Sequence, residues 1–564
     1  MKIGIISINM YSKGLNFACP LHTYAFQQFL LKNQIESTIL DYKPVYYDNF
    51  NLRHPSDYYA ERYQTLSARI PQNEEEQQYL KEKTDYFASQ KEAWLPLYSE
   101  REVRYDKFQH FIEQHYIKTD LCYDSGLLEV LDPDFDCYIC ATDVIWKNQP
   151  DVGYDRGFFL GSRCMENKWK LAYSASRGVY FANNAEEDLL FFHYLEDFDF
   201  ISVREKSLQE YIRKNTGRAC PIVLDPVLLH ESSFYDSILT KPQEEHYLLL
   251  YYVMEKAAVT IEQAVNYARL HHLKIIEITD VPVKHGRLQK YTDVEHIFRF
   301  DIGIEEWLGY LKYADCVFTN SFHACCFSLL FERNLFVGFR QGDKVKNIME
   351  TFNLTNRIVT ANSCFTDDSI PDIPYDTVRQ LLKQKRAESS ELLLRAIRSC
   401  ENSSRPKKDY DSYKQTLQYP IYYNCKYKNL PFTWNYDESA GTVRHFTSGT
   451  YEYQSSEILY RNNGSSHFLK NAFHLKNHEF TGWHIRLLID NHWFWYTENG
   501  TLVLREDYNT SRDGALCTFS DEALIPYIPV NRIKLVVAEA VWKKALHARI
   551  LDKLTKITRK LFTA

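Results

Sequence analysis

The chain contains no Walker loop, no G-x-G-x-x-G after its first strand-like run, no H-E-x-x-H and no G-x-S-x-G. The usual grounds for an NTPase, a dinucleotide oxidoreductase, a zincin or an α/β-hydrolase are therefore missing. It is also poor in glycine and proline, 19 and 18 among 564 residues, while 45% is hydrophobic and 25% charged. That composition excludes fibrous and disordered classes and describes a globular protein of several domains. There is no surplus of positive charge: the formal net charge is -7, so the chain offers no field for duplex nucleic acid and no such partner is expected. The opening MKIGIISINM is too short and wrongly flanked for a signal peptide or a membrane span, and reads as a first strand.

Thirteen cysteines are scattered through the chain. Its one C-x-x-C, Cys137 to Cys140, has no second half at metal-ligand spacing, so buried thiols in a reducing cytoplasm are expected, with no metal and no cofactor. Aromatic residues make up 15%. They suit stacking on sugars and equally the filling of cores.

From Lys2 to Pro44 the sequence runs strand, glycine-containing loop, amphipathic helix and strand, the opening of a parallel sheet covered by helices. Residues 72–116, rich in Glu, Lys, Gln and Tyr, read as a solvated helical insertion. Strand-like runs recur at Asp136–Cys140, Lys170–Ser174, Phe200–Val203, Ile222–Leu224, Tyr247–Tyr252, Lys274–Ile278 and Asp315–Thr319. This alternation over nearly 400 residues is too long for one open sheet. The expected fold class is α/β, with two Rossmann-like doubly wound domains facing a cleft, residues 1–230 and 231–398, divided near Pro226–Lys241. A polar linker over 399–424 and a β-rich accessory domain over 425–540 follow, with hairpin signals at Asn463-Gly464 and Asn499-Gly500. Within the β-rich part Trp483, Trp493, Trp495 and Tyr496 lie on alternating runs, a core or a docking ladder for a glycan. Residues 541–564 carry seven Lys or Arg against one Asp, with apolar residues every three or four positions. The expectation is a basic amphipathic helix, docked on its own domain or lying at an anionic membrane face.

Chemistry should gather at strand ends. Asn320-Ser321-Phe322-His323 falls between a strand and an apolar helix, where an open α/β sheet binds anions and where His323 can exchange a proton. Ser202-Val203-Arg204-Glu205 follows another apolar run, and Arg204 offers a planar fork to phosphate or carboxylate. The loop Ser12 to Pro20 and the turn Ala141-Thr142-Asp143 lie at equivalent ends in the first half, with Asp143 open to reading as a base or as a helix N-cap.

Over residues 1–390 these turns arrive in the order seen in the polysaccharide pyruvyl transferases, which the chain resembles. The resemblance rests on Asn16-Phe17-Ala18 with Tyr24-Ala25-Phe26-Gln27, on Thr142-Asp143-Val144-Ile145-Trp146, and on Ala172-Tyr173-Ser174-Ala175-Ser176. It continues through Ile201-Ser202-Val203-Arg204-Glu205, Leu224-Asp225-Pro226-Val227 and Thr319-Asn320-Ser321-Phe322-His323. It implies a GT-B-like fold and transfer of an enolpyruvyl unit from phosphoenolpyruvate, as co-substrate, to a sugar diol, leaving a pyruvate ketal and phosphate. His323 is then the expected acid or donor-positioning residue, Arg204 an anion clamp and Asp143 the third catalytic candidate. Ser321, Arg340 and Lys344 join Arg204 as donor-binding candidates, with Lys346 nearby. Asn16, His22 and Asp143 are expected at the acceptor. Ser321 stands where several members place an arginine. The acceptor is expected to be a saccharide of a surface polysaccharide or its lipid-linked precursor, met in the cytoplasm or at the inner membrane face. The competing readings are a nucleotide-sugar glycosyltransferase of the same fold and a non-catalytic glycan-binding protein.

Overall fold

A computed structural model describes residues 1–407, apart from short segments within 45–49, 69–73, 126, 148–153, 179–188, 254–257, 283–289, 339–341 and 361–370, and beyond them the strands lying between 421 and 544. Contacts divide the chain into two compact units: 1–147 with 156–181 and 197–406, and 148–155 with 182–196 and 407–564.

The first unit holds two six-stranded parallel sheets. One is built from β1 (Ile3–Ile6), β2 (Ser37–Tyr42), β3 (Lys118–Tyr123), β4 (Cys137–Asp143), β5 (Trp169–Ala175) and β6 (Phe200–Val203), in the order β3-β2-β1-β4-β5-β6. Its helices are α1 (Ala18–Lys32), α2 (Pro55–Ser67), α3 (Glu74–Trp94), α4 (Tyr98–His115) and α5 (Leu127–Val130). The helix α6 (Leu189–Glu196) belongs to the second unit. After α7 (Lys206–Thr216) and α8 (Ser232–Tyr235) comes the second sheet: β7 (Tyr247–Tyr252), β8 (Lys274–Thr279), β9 (His296–Arg299), β10 (Cys316–Thr319), β11 (Asn334–Gly338) and β12 (Ile358–Val359), ordered β12-β11-β10-β7-β8-β9. Its helices are α9 (Ala258–Leu270), α10 (Ile304–Tyr313), α11 (Phe322–Leu330), α12 (Lys344–Thr351) and α13 (Tyr375–Glu401).

Read from the first strand of each half outward, the two orders are the same doubly wound arrangement, so the two expected Rossmann-like halves are present. Each has a point where the winding reverses, between β1 and β4 in one half and between β7 and β10 in the other. The central strands are sealed on both faces: every residue of β1, β7 and β10 is buried, which is why they read as unbroken apolar runs.

Three expectations need correction. The run Ile222–Leu224 is no full strand: it makes a single bridge, Ile222 to Val203. The insertion over 72–116 is helical but not merely solvated. Within it α4 buries Arg101, Arg104, Phe108, Phe111 and Ile112, Arg101 donates to the carbonyls of Lys13, Gly14 and Leu52, and Arg104 lies between the rings of Phe17 and Phe300 while donating to the Thr279 carbonyl at 2.9 Å. The second half does not close on itself at 398. The end of α13 instead packs Leu393, Ile397 and Cys400 into the first half's core with Ile3, Ile5 and Ile139, because those apolar positions recur one helical turn apart.

The second unit contains an eight-stranded sheet of β13 (Ile421–Tyr427), β14 (Leu430–Asp437), β15 (Thr442–Ser448), β16 (Tyr451–Ser455), β17 (His478–Ile489), β18 (His492–Tyr496), β19 (Leu502–Leu504) and β20 (Ile533–Lys544), ordered β16-β15-β14-β13-β20-β17-β18-β19. Neighbours are antiparallel except β13 with β20. The Asn463-Gly464 and Asn499-Gly500 signals both lie outside the described residues. The expected terminal helix cannot begin at Val541, since β20 runs in register with β17 through Lys544; 545–564 lie outside the described residues. Among the described residues no helix is long and apolar enough to cross a membrane.

Candidate active site

Parallel strands deliver their C-terminal ends to one edge, and there the sequence places its polar turns. Asp143 ends β4 with φ 65°, and Asn9, Leu15 and Ser174, also at strand ends or in the loop after β1, have φ between 50° and 52°. Four left-handed non-glycine residues at one edge mark backbone held by its surroundings, a pattern that concentrates at functional sites. The loop after β1 is pinned from both halves. Gly14 leaves no room for a side chain, since a Cβ there would lie 2.6 Å from the Asp280 carbonyl oxygen. Asn16 accepts from the Ala18 N–H at 3.0 Å and reaches Asp280 Oδ2 at 3.5 Å. In the second half Asn320 ties the ends of β7 and β10 together through both atoms of its amide, bonding the Val253 N–H and carbonyl at 2.9 and 3.0 Å.

The centre of the site is a buried charge network. Arg204, immediately after β6, donates to Asp143, to Asp225 Oδ2 at 2.8 Å and to Glu205 Oε1 at 3.4 Å, and its guanidinium lies 4.3 Å from the centroid of the Phe322 ring. Lys344, the first residue of α12, donates to Asp143 Oδ1 at 2.9 Å. His323, in the first turn of α11, meets the same Asp225 oxygen through Nε2 at 3.3 Å. Asp225 is fixed from the other side by the Val227 N–H at 3.2 Å. Arg204 and His323, 119 positions apart in sequence, thus share one carboxylate oxygen.

These contacts set the charge states. Burial alone would raise Asp143 and Asp225, but Lys344 and Arg204 hold the first, and His323 and Arg204 the second, well below the usual carboxylate range. Burial opposes the charge on Arg204 as well, yet Asp143, Glu205 and Asp225 together raise its pKa. Glu205 is pushed up by burial against the pull of Arg204 and Lys344, and Lys344 is pulled down by burial. His22, on α1 and fully buried, stacks on His323 with ring centroids 5.5 Å apart. Burial and His323 lower its pKa to about 3, so it is neutral at ordinary pH.

The structure brings His323, Arg204, Asp143, Lys344 and His22 into one cluster, with Asn16 bonded to Asp280 beside it. Ser321 caps α11, its Oγ accepting from the Ala324 N–H at 3.4 Å, while its own N–H is taken by Thr319 Oγ1 at 3.0 Å. Lys346 is an exposed partner of Glu350, and Arg340 lies outside the described residues. Two roles change. Arg204 is not an open fork, because protein carboxylates occupy all three of its nitrogens. Asp143 caps no helix: residues 144–147 form a turn, and the Asp143 carbonyl accepts from the Ile145 and Ser176 N–H groups. Asp225, which carries the geometry, and Glu205 were visible only as motif letters, since nothing local records that they meet Arg204.

A cavity of ≈ 390 Å³ adjoins the network, within the range of small-ligand sites. Arg204, Asp225 and Phe322 form part of its wall, and Lys206, Lys344 and Lys385 bring further positive charge. Among the described residues Cys19, His22 and Asp143 form the one group whose donor atoms are close enough to suggest a metal, all within 4.8 Å of one another.

A sequence model of the polysaccharide pyruvyl transferase family matches residues 21–337. No curated protein matches the sequence. Among solved structures, UDP-N-acetylglucosamine 2-epimerase from Rickettsia bellii is 10% identical, with a TM-score of 0.32 over 71% of this chain and 96% of that one. UDP-GlcNAc 2-epimerase from Methanocaldococcus jannaschii is 11% identical, with a TM-score of 0.32 over 71% and 100%. The E. coli heptosyltransferase WaaC is 10% identical, with a TM-score of 0.29 over 68% and 99%.

Proposed function

The chain belongs to the polysaccharide pyruvyl transferases, and from that premise we propose that it transfers the enolpyruvyl unit of phosphoenolpyruvate to two hydroxyls of a saccharide, forming a pyruvate ketal and releasing phosphate. The saccharide is a surface polysaccharide or its lipid-linked precursor, and the lysines and arginines of residues 545–564 hold the protein against anionic lipid.

The observation that supports this reading is the shared Asp225 oxygen between His323 and Arg204 beside a lysine-lined cavity. The reaction needs a proton delivered to the methylene carbon of the donor, which leaves an oxocarbenium-like centre for a hydroxyl to attack. His323 supplies that proton, and Asp225, in contact with its Nε2, fixes the ring. Once neutral, His323 takes the proton of the attacking hydroxyl. The second hydroxyl displaces phosphate, and its proton leaves with the phosphate, so the two hydroxyl protons end on the new methyl group and on phosphate. Lys344, Lys206, Lys385 and the Ser321 hydroxyl bind the donor's phosphate and carboxylate. Arg204 and Asp143 act as positioning residues: an aspartate held so firmly in its charged form is a poor base, and its work is to set Lys344 and Arg204. Asn16 orients the acceptor.

Phosphate release from phosphoenolpyruvate should then require a saccharide acceptor and fall by about 10²–10⁴-fold in His323→Gln, with an unchanged circular dichroism spectrum. Turnover at the wild-type rate in that variant would remove His323 from the mechanism. A thermal shift with nucleotide sugars and none with phosphoenolpyruvate would replace this reading by that of a glycosyltransferase.

A further inference from the structure

We propose that Cys19, His22 and Asp143 form a binding site for a thiophilic divalent cation of the zinc class, with a coordination position left for a non-protein oxygen ligand. Cys19 and His22 lie three residues apart on α1 and so share one face, one turn from each other. Asp143 comes to them from the end of β4. The three donor atoms lie within 4.8 Å of one another. Zinc with bonds of about 2.0–2.3 Å wants tetrahedral donors roughly 3.3–3.8 Å apart, so the three side chains have to draw together to ligate it.

A second observation is independent of that proximity. His22 is completely buried, and its Nε2 has no hydrogen-bond partner. Its Nδ1 lies 3.4 Å from Thr23 Oγ1, a hydroxyl itself fixed by Ser7 Oγ at 2.7 Å and the Cys19 carbonyl at 3.0 Å. One ring nitrogen is thus oriented by a neighbour while the other offers a lone pair to nothing, which is how a metal-ligating histidine is prepared. Asp143 is similarly arranged: Arg204 and Lys344 both bond its Oδ1, leaving Oδ2 for a metal. Mixed sulfur, nitrogen and oxygen donors favour zinc over magnesium or calcium, which prefer all-oxygen shells.

The proposal stands apart from the transferase reading and is decided by binding. Full-length protein stripped with chelator is titrated with Co²⁺. One equivalent should produce a thiolate-to-cobalt absorption band with the intense visible bands of a four-coordinate ion, and Zn²⁺ should displace it. The charge-transfer band should vanish in Cys19→Ser, and affinity should fall at least ~10-fold in His22→Gln. Absence of a thiolate band in folded wild-type protein, or its persistence in Cys19→Ser, overturns the proposal. Should Cys19→Ser not fold, zinc-edge X-ray absorption on the wild type decides instead: one sulfur among nitrogen and oxygen neighbours supports the site, and several sulfurs or none overturns it.

Discussion

Replacing Arg204 by methionine separates two roles that a sequence reading cannot. Methionine keeps much of the stem's apolar volume and removes the charge. In the structure this leaves Asp225 at 0% and Glu205 at 2% side-chain exposure, with Asp143 keeping only Lys344. Breaking a buried, hydrogen-bonded ion pair by deleting one partner destabilises by about 3–5 kcal/mol, a large part of what holds a typical domain folded. The pH dependence fixes the cause. In the wild type Asp143 and Asp225 have depressed pKa values, so their contribution is fully present above the unfolded carboxylate pKa of about 4 and is lost only as pH falls below it. In Arg204→Met, Asp143 keeps Lys344 and Asp225 keeps His323, but both lose Arg204 against the same burial, so their values should rise. The variant then gains stability relative to the wild type as pH drops from 7 to 5, by about 1.4 kcal/mol per pH unit for each proton taken up. Parallel urea unfolding of both full-length proteins at pH 7 and pH 5 measures the gap. An unchanged stability with a raised KM for phosphoenolpyruvate is the behaviour of an open anion clamp, and it would refute the network.

Two further expectations test the frame around the site. In Gly309→Ala the new Cβ would lie 1.8 Å from the Thr240 carbonyl oxygen. The strain should exceed the gain in helix propensity and destabilise by about 1–3 kcal/mol in thermal unfolding; a variant as stable as the wild type would mean that α10 does not seat there. His230, buried with Nε2 2.8 Å from the Ala25 carbonyl, has its pKa lowered to about 4, chiefly by burial. The unfolded chain binds a proton below about pH 6.5 that the native state refuses, so stability should fall by about 2 kcal/mol from this group by pH 5. That share of the acid loss should disappear in His230→Gln, and parallel pH profiles would contradict it.

The halves were legible because buried parallel strands are nearly pure apolar runs: Phe200–Val203 and Tyr247–Tyr252 were bounded to the residue. The peripheral strands β3, β9 and β12 were not. Lys118–Tyr123 is largely exposed and His296–Arg299 half-buried throughout, so neither carries a periodicity to read. At the site, each turn could be found from its place after an apolar run, but Arg204 looked available because a local window shows only Glu205 beside it. Asp143 lies 61 positions before it and Asp225 21 after, and pairing over such distances is written in the winding of the sheets. Arg101 and Arg104 were taken for solvated charge for the same reason: their acceptors are backbone carbonyls of segments distant in sequence, which no side-chain pattern announces.

The return of α13 has a mechanical consequence. The chain leaves the first half after β6 and comes back once, and the two crossings are stitched together: the Ser389 hydroxyl receives the Leu224 N–H at 3.0 Å, and Arg386 grips the carbonyls of Leu228 and His230 at 2.8 and 2.7 Å. Two crossings fastened side by side gather the passage between the halves into a single seam. Since Leu224, Leu228 and Ser389 also line the lysine-rich cavity, a ligand seated there would rest against that seam.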